Sequence, residues 1–489
     1  MIKSLKNRIL ELLDTITEMV NLLCQVQDKK VFISDCYEAI ESIMGHIEKE
    51  QTSPVKTLRL LDEIQDAFVL GLNNIEIIND SYVKELKKNV VLLKSVLREE
   101  VNEQLNVVFF PYKESMWDSL ATIYEAAVND SNCVAKVVPI PYYKLEHESV
   151  QPVYEGDLFP EDIQKVNYNN YDLETEQPDI IFVHNIYDQY NTITQVSEQY
   201  FTSNLKKYTD MLVYVPYHIS SPVKAEKDDS RMSYKLPTIK NVDKVVLAGE
   251  FVEKEALRDG IPKEKILTLG SPKFDGMLKV LNEDTEFPDE WKDVIEGKTV
   301  FLLNTGCLYF VNDIRAAAVM LDLILDIPRY IDNVALIWRP HPLTEAAVKR
   351  YAPELSGLLE SYYEAIKNKS PHVKNTILDQ NESYFPALKV ADVLLTNFSS
   401  ILDSYLLTEK KVIYLGEKMP ESSLIPSDTF YYFFDKDEPW FELAKKIAKG
   451  YDPLAKKRKE IASKFYECLD GTSGEKIYKA VKECVLRNQ

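Results

Sequence analysis

From residue 105 onward, short apolar runs alternate with stretches in which apolar residues recur at helical spacing. The runs are rich in Val, Ile, Leu and Phe, and turn or helix signals follow them. Strands that are buried on both faces of a parallel sheet have this composition. Because such strands alternate with helices, the pattern predicts an α/β fold with parallel sheets. The runs are NVVFF (106–110), VAKVVPI (134–140), DIIFV (179–183), MLVYV (211–215), KVVLAG (244–249), TVFLLNTG (299–306), VALIW (334–338), DVLLTN (392–397) and KVIYLG (411–416).

The runs form two series, because a polar stretch at 282–298 separates the early runs from the later ones. Two consecutive α/β domains of similar size are therefore expected, with a cleft between them. In sheets of this kind, ligands bind beyond the carboxyl ends of the strands, so a site is expected in the segments that follow them. The predicted units are a helical extension (1–100), a first domain (101–290), a second domain (291–436) and C-terminal helices (437–489).

Residues 1–100 lack this alternation and carry apolar residues at helical spacing. Pro54 is the only proline in this part of the sequence, so little interrupts long helices. The segment is predicted to form a helical hairpin or a small bundle, which packs on the main body or mediates self-association. A helix that contacts a membrane is the alternative, but acidic residues follow at once after the basic residues near the N-terminus.

The formal net charge of −20 excludes nucleic acid as an expected partner, since the field of the chain repels a polyanion. The N-terminal stretch lacks the features of a signal peptide, and no apolar run is long enough to span a bilayer. The expected location is cytoplasmic, with peripheral contact at the inner face of the membrane as an option. The 6 cysteines show no CxxC spacing and the chain has no GxGxxG, P-loop, GxSxG or HExxH motif, so we expect no metal site.

The run VALIW leads directly into Arg339-Pro340-His341-Pro342. Two prolines fix the backbone around the histidine and are not expected within a central strand. A rigid loop that presents one guanidinium and one imidazole suits a phosphate group, because arginine supplies a planar fork of donors. The alternative is a surface turn in which Arg339 pairs with a carboxylate and His341 is solvated.

The run DVLLTN leads into a second candidate, Thr396-Asn397-Phe398-Ser399-Ser400, and helical periodicity follows it. The two serines are predicted to lie in the first turn of a helix, where backbone N–H groups have no intrahelical partner and the helix dipole is positive. Hydroxyls beside such groups can bind phosphate oxygens. An ordinary N-cap is the alternative, and the position after a strand of the second domain favours the phosphate site.

Three loops after first-domain strands hold further candidates. His218 follows MLVYV, and a histidine there can take a proton from a hydroxyl because its intrinsic pKa lies near working pH. His184 and Asn185 follow DIIFV, where a packed turn is the alternative. Lys113 and Ser115 follow NVVFF, in a loop that would touch an acceptor or close over the site; a loop capped by Ser115 is the alternative.

Taken together, these stretches resemble the CDP-glycerol glycerophosphotransferase family of teichoic-acid-type polymer synthesis, and in particular a subgroup with a helical N-terminal extension. The resemblance spans about 106–415 and does not extend to residues 1–100. It rests on VVFFPYKESMWDSL (107–120), VVPIPYY (137–143), PDIIFVHNIYDQYN (178–191), LKKYTDMLVYVPYH (205–218), IWRPHPL (337–343) and ADVLLTNFSSILD (391–403).

The resemblance implies a GT-B-like fold, with two Rossmann-like domains facing a cleft and C-terminal helices that pack back across it. It implies that Arg339 and His341 contact the phosphates of a CDP-linked donor, with Ser399 and Ser400 at its pyrophosphate. His218 is then the candidate base, so that the catalytic residues are His218 and His341. The substrate-binding residues are expected to be Arg339, Thr396, Asn397, Ser399, Ser400, Lys113, Ser115, His184 and Asn185.

The chain departs from the family pattern at two places. Polymerases of the family usually carry Thr-Asp-Tyr-Ser-Ser, whereas Asn397 and Phe398 stand here in place of the acidic residue and the phenol. They carry a Trp-His-Gly-type stretch near the catalytic histidine, where this chain has Tyr217-His218-Ile219. The segments expected to bind the donor therefore match the family pattern better than the stretch around the candidate base does.

The expected activity is transfer of a glycerol-phosphate, or related polyol-phosphate, group from CDP-glycerol to an acceptor hydroxyl, with release of CMP, in cell-wall or surface polymer synthesis. The expected acceptor is a polyol phosphate or a glycan-lipid, and no cofactor is implied, because CDP-glycerol is itself the substrate. Two alternatives stay open. One is a GT-B glycosyltransferase that uses a nucleotide sugar, and the other is a non-catalytic nucleotide-binding or scaffold protein.

Overall fold

The computed structural model describes residues 1–49, 54–145, 149–218, 236–282, 287–306, 309–312, 314–381, 383–397 and 399–487. The chain begins with helices that pack on one another as a bundle and bury one apolar face each. The bundle has its own core, and each helix contributes fully buried residues to it, among them Leu13, Ile40, Phe68 and Leu93. The helices are α1 (Lys3–Leu22), α2 (Lys29–Ile47), α3 (Val55–Asn73) and α4 (Asp80–Glu100).

Polar side chains define where these helices begin and how the bundle is attached. Asp28 caps α2 and Asn79 caps α4, each by accepting hydrogen bonds from backbone N–H groups of the first turn. The buried Lys6 ammonium donates to the carbonyl oxygen of Val101 at 2.8 Å and pairs with Glu103 at 3.3 Å. The predicted helical extension is confirmed, and a buried charge anchors it at the entrance to the next domain.

The first α/β domain is built on a parallel sheet with the strand order β2-β1-β5-β7-β8-β9, and three short strands form a separate antiparallel sheet in the order β4-β3-β6. The strands are β1 (Leu105–Phe110), β2 (Cys133–Val137), β3 (Tyr142–Leu145), β4 (Val150–Val153), β5 (Ile180–Val183), β6 (Thr194–Val196), β7 (Met211–Tyr214), β8 (Lys244–Leu247) and β9 (Ile266–Thr268). The helices are α5 (Ala121–Val128), α6 (Leu173–Glu176), α7 (Thr202–Leu205), α8 (Glu250–Arg258) and α9 (Pro272–Asn282).

The second α/β domain has another parallel sheet, with the order β12-β11-β10-β13-β14-β15. Its strands are β10 (Thr299–Thr305), β11 (Val334–Pro340), β12 (Thr376–Leu378), β13 (Val393–Thr396), β14 (Lys411–Tyr414) and β15 (Tyr431–Tyr432). Its helices are α10 (Asp289–Ile295), α11 (Tyr309–Asn312), α12 (Ile314–Leu325), α13 (Ile327–Tyr330), α14 (Thr344–Tyr351), α15 (Ser356–Lys367), α16 (Phe385–Val390) and α17 (Ser400–Leu406).

Alternation along β10 shows how both faces of the second sheet are covered. Phe301 and Leu303 face one core, whereas Val300 and Leu302 face the other, as period-two strands require. The last helices are α18 (Trp440–Ala448), α19 (Ala455–Phe465) and α20 (Ser473–Arg487). α18 and α19 pack on the two faces of the second sheet, while α20 packs against α5 on the first.

The predicted α/β class with two Rossmann-like parallel sheets is thereby confirmed. The predicted strand runs correspond to the inner strands of the two sheets and, for VAKVVPI, to the edge strand β2. Within the described ranges, none of the helices combines the length and the apolar character needed to cross a bilayer.

Candidate functional site

Each parallel sheet has one pair of neighbouring strands at which the chain changes the direction in which it adds strands. In the first sheet this pair is β1 and β5, and in the second it is β10 and β13. Loops leave such a pair in opposite directions, and the crevice that opens beyond the carboxyl ends is where α/β sheets bind ligands. Lys113 and His184 follow the first pair, and Ser399 follows the second. These three predicted residues therefore follow strands of the switch pairs, where topology favours a site.

Asn304, at the end of β10, joins the two predicted motifs of the second domain. It lies in register between Arg339 on β11 and Thr396 on β13. Its Nδ2 donates to the backbone oxygen of Arg339 at 3.3 Å. Its Oδ1 accepts from the hydroxyl of Thr396 at 3.2 Å and from that of Ser399 at 3.4 Å. The Arg-Pro-His-Pro segment and the segment 396–400 thus meet at one edge of the sheet.

The Arg339 side chain is buried and bonds to partners within the protein. Its Nη1 donates to Oδ2 of Asp379 at 2.6 Å, and Nη2 donates to the carbonyl oxygen of Asn381 at 2.8 Å. Both partners of the ion pair are buried. β11 continues through Pro340 and keeps Arg339 within the strand, and the predicted contact of Arg339 with donor phosphates stays a prediction. The alternative of a pair with a carboxylate describes the structure.

His341 lies just beyond β11 and is exposed. Its backbone N–H donates to the carbonyl oxygen of Thr305 at 2.9 Å, which holds the residue close to the end of β10. Its Nδ1 accepts from the backbone N–H of Leu343 at 3.1 Å. In the neutral ring the proton is then on Nε2, which can donate to a ligand. Its predicted donor contact stays a prediction.

The two serines that follow β13 differ in their surroundings. Ser399 is the N-cap of α17, since its Oγ accepts from the backbone N–H of Leu402, and the same hydroxyl lies 3.2 Å from that of Thr396. Ser400 is exposed at the first position of the helix. The N-cap alternative therefore describes Ser399, whereas Ser400 presents its hydroxyl at the surface.

The rest of this segment is engaged in holding the strands. Asn397 donates from Nδ2 to the carbonyl oxygen of Leu415 at 3.1 Å, which ties the end of β13 to the end of β14. Thr396 is buried within the network around Asn304. Phe398 lies outside the described residues. The predicted donor residues thus lie close together, but some of them hold the strands in place and others are exposed.

His184, predicted to bind substrate, is 0% exposed. Its Nε2 accepts from the backbone N–H of Tyr112 at 3.3 Å, so the neutral ring carries its proton on Nδ1, which lies 3.4 Å from the carbonyl oxygen of Met116 and 3.3 Å from Oγ of Ser119. Burial lowers the pKa of His184 to about 3. This neutral histidine joins the loops after β1 and β5, as the alternative of a packed turn describes, and its predicted substrate contact stays a prediction.

The other predicted residues in first-domain loops are Asn185, Ser115 and Lys113, and each has different surroundings. Asn185 accepts from the backbone N–H of Tyr187 at 2.8 Å, which closes a local turn. Ser115 is exposed on a 3₁₀ turn whose N-cap is Lys113, so it is not the cap. The Lys113 ammonium lies 5.8 Å from the ring centre of Tyr112 and 5.4 Å from that of Tyr142, as in cation–π contacts. Aromatic rings thus hold a cation at the switch point of the first sheet.

His218 is half-buried in the segment that follows β7, and residues 219–235 lie outside the described part of the chain. The Tyr217 ring lies between the imidazoles of His184 and His218, at 6.1 and 5.3 Å from their centres. Burial lowers the pKa of His218, and the positive charge of Lys273 lowers it further. The ring is therefore neutral near pH 7 and can accept a proton, as a base requires.

Asn304, Asp379 and Lys273 were not singled out from the sequence. Asn304 ends a buried run, like Thr396, so comparing the ends of neighbouring strands would have identified it. Asp379 follows a strand of only 3 residues, which leaves little periodic signal. Lys273 lies at the start of α9, far along the chain from the histidine it influences. Among the described residues, no group of three or more His, Cys, Asp or Glu side chains is arranged to hold a metal ion.

No known family model matches the sequence, and no curated protein matches it either. Several solved structures are similar in fold. A protein assigned as UDP-N-acetylglucosamine 2-epimerase from Listeria monocytogenes has a TM-score of 0.52 at 12% identity, over 78% of this chain and 97% of that one. This likeness concerns the fold alone.

Two further solved structures have lower scores. The UDP-GlcNAc 2-epimerase from Methanocaldococcus jannaschii gives a TM-score of 0.49 at 14% identity, over 78% of this chain and 99% of that one. The wall teichoic acid polymerase TagF gives 0.46 at 15% identity, over 82% of this chain and 96% of that one.

Proposed function

We propose that this protein transfers a glycerol-phosphate or related polyol-phosphate group from a CDP-linked donor to an acceptor hydroxyl and releases CMP. The proposal starts from the resemblance of the Arg-Pro-His-Pro and Thr-Asn-Phe-Ser-Ser segments to the glycerophosphotransferase family. The observation that carries it is their meeting through Asn304 at the switch point of the second sheet, beside the exposed His341 and Ser400. Sheets of this topology bind nucleotides at that position.

The donor would lie against the carboxyl edge of the second sheet. His341 can donate from Nε2 to a phosphate oxygen, and Ser400 offers a hydroxyl to another. Arg339 would act from behind by holding Asp379, Asn381 and Ser383 against β11. Thr396 and Ser399 would shape the edge through Asn304. The donor groups therefore act by position and hydrogen bonding, which is how phosphoryl transfer is generally promoted.

In the proposed reaction, the acceptor hydroxyl oxygen forms a bond to the β-phosphorus of the donor. The bond between that phosphorus and the oxygen bridging to the α-phosphate breaks, and CMP leaves with the bridging oxygen. The hydroxyl proton passes to His218, whose imidazole is neutral because burial and Lys273 lower its pKa. The product is a phosphodiester, and no cofactor takes part in these steps.

The first domain would receive the acceptor. Lys113 places an ammonium at the carboxyl edge of that sheet, and two tyrosine rings hold it there. Either expected acceptor, a polyol phosphate or a glycan-lipid, would bring its hydroxyl toward this edge. The bundle of residues 1–100 closes its own core, and self-association or peripheral membrane contact through its outer surface is part of the proposal.

A binding experiment tests the donor class. Calorimetry with CDP-glycerol, a UDP-sugar and a GDP-sugar should give binding for CDP-glycerol, and His341→Ala should abolish it. His372→Ala is the matched control, because His372 is another exposed histidine of the second domain, in the turn Pro371–Val373. Binding of a nucleotide sugar in place of CDP-glycerol would contradict the proposal, as would unchanged affinity in His341→Ala.

A further inference from the structure

We propose that Asn304 is a positioning residue that fixes the Arg-Pro-His-Pro segment and the start of α17 in one register, so that His341 and Ser400 reach the same donor. The identity of that donor rests on the proposed function, whereas the mechanical role of Asn304 does not. Asn304 is 6% exposed, so it acts through its neighbours rather than through a ligand.

The side chain of Asn304 makes opposite kinds of hydrogen bond to the two segments. We call the hydrogen bonds to β11 and those to β13 and α17 its two arms. Toward β11 it donates, from Nδ2 to the backbone oxygen of Arg339 at 3.3 Å. Toward β13 it accepts, at Oδ1, from the hydroxyls of Thr396 and Ser399 at 3.2 and 3.4 Å. A primary amide carries its donor and its acceptor on separate atoms, so it can bond in two directions at once. The central strand of the switch point therefore carries the residue type that the two arms require.

The arms continue to the two exposed groups. The carbonyl of Arg339 is two residues from His341, whose own N–H is bound to Thr305 at 2.9 Å, next to Asn304 in sequence. Ser399 passes the second arm to the helix, because its Oγ accepts from the N–H of Leu402 at 3.4 Å. Rotation of the Asn304 side chain would break both arms at once. Both donor-side segments consequently depend on one buried amide.

Two substitutions separate the arms. Asn304→Asp keeps an acceptor oxygen for the two hydroxyls but has no N–H for the carbonyl of Arg339. Asn304→Ala removes both arms. Asn106→Ala is the matched control, because Asn106 is a buried asparagine on β1 whose Nδ2 donates to a single carbonyl, that of Glu176, at 2.9 Å.

Hydrogen exchange of the full chain without ligand reads each arm directly. In Asn304→Asp we expect exchange at 339–344 to rise about two- to tenfold, the factor that the loss of one hydrogen bond implies, with 399–407 unchanged. In Asn304→Ala both segments should exchange faster, and Asn106→Ala should alter neither. Unchanged exchange in both Asn304 variants would overturn the inference. An increase spread evenly over the chain in Asn304→Asp would overturn it as well.

Calorimetry with CDP-glycerol then links the position to binding. Asn304→Asp should weaken donor affinity at least about tenfold, because a small displacement of positioning groups has effects of that size or larger. Faster exchange with unchanged affinity would overturn the role in donor binding. A wild-type chain that binds no CDP-glycerol would instead contradict the proposed function, and the exchange pattern would still decide whether Asn304 holds the two segments together.

Discussion

Nη1 of Arg339 lies 2.6 Å from Oδ2 of Asp379, and both side chains are buried beside the carboxyl edge of the second sheet. The guanidinium also donates to the carbonyl oxygens of Asn381 and Ser383, at 2.8 and 3.3 Å. One arginine of β11 thereby contacts three residues that follow β12. An ion pair within the protein holds this edge, so that the proposed donor contacts would be made by exposed neighbours.

Removing one partner of this pair should cost stability heavily. Asp379→Ala leaves a buried guanidinium without its counter-charge, and the expected loss of unfolding free energy is about 3–5 kcal/mol. Replacing both residues, as in Arg339→Met with Asp379→Ala, should cost less than the sum of the single changes. Urea unfolding followed by circular dichroism of all four chains of the double-mutant cycle measures this difference.

The matched control for this cycle is the exposed pair of Arg329 and Asp326, whose charged atoms are 3.8 Å apart. Arg329→Met should change the unfolding free energy by less than about 1 kcal/mol, because exposed pairs contribute little. A loss of that small size in Asp379→Ala would mean that Arg339 does not depend on Asp379, and it would return the arginine to the candidates for phosphate contact.

The adjacent serines after β13 should respond differently to substitution. Ser399→Ala removes the N-cap of α17, and we expect it to lower the unfolding free energy by about 0.5–2 kcal/mol. Ser400→Ala removes an exposed hydroxyl and should leave stability within about 0.5 kcal/mol while it weakens CDP-glycerol binding. Thermal unfolding and calorimetry of both variants give the two quantities. Equal stability losses, or unchanged donor affinity in Ser400→Ala, would contradict this division.

The sequence was sufficient to predict the parallel strands in the middle of each sheet, because those strands are buried on both faces and give continuous apolar runs. β12 and β15, at opposite edges of the second sheet, are only 3 and 2 residues long and leave no such signal. The antiparallel strand β4 is largely exposed and was missed for the same reason. Short edge strands are recognised by their neighbours in the sheet rather than by their own composition.

We predicted the site residues at positions where a polar residue follows a buried run, and such positions can be recognised in the sequence. The role of each residue depends on the direction of its side chain, which the sequence does not show. Arg339 and His341 are two residues apart, yet one is held inward by Asp379 and the other is exposed. His184 looked like His218 in sequence, because each follows a strand, but only the first is surrounded on all sides. Burial of this kind arises from distant segments that no local pattern contains.

The buried His184 should make stability depend on pH. Burial lowers its pKa to about 3 in the folded chain, whereas the unfolded chain binds the proton near the ordinary value of 6.5. Below 6.5 the unfolded state therefore holds one more proton, so the free energy of unfolding falls as pH falls and is flat above that value with respect to this group. At pH 5.5 the expected loss is about 1.4 kcal/mol.

Urea unfolding at pH 7.5 and 5.5 of the wild type and of His184→Gln isolates this contribution, because other groups titrate alike in both chains. The wild type should lose about 1.4 kcal/mol more between the two pH values than His184→Gln does. His46→Gln, in the helical bundle, serves as the control. The same pH dependence in wild type and His184→Gln would show that the buried ring does not stay neutral.

The pH dependence of turnover should follow His218. A base must be unprotonated, so kcat/KM for CMP release rises with pH through the pKa of the imidazole in the free enzyme. Burial and Lys273 lower that pKa, so the midpoint should lie below 6.5.

Lys273→Met removes a positive charge and should move the midpoint upward, because the protonated ring is then repelled less. Asp118, whose carboxylate lies 2.9 Å from the Lys273 ammonium, stays partly solvated in this variant. Lys279→Met, on the same helix α9, should leave the midpoint where it is. A midpoint that does not move in Lys273→Met, or turnover that survives His218→Ala with an unchanged profile, would assign the proton to another group.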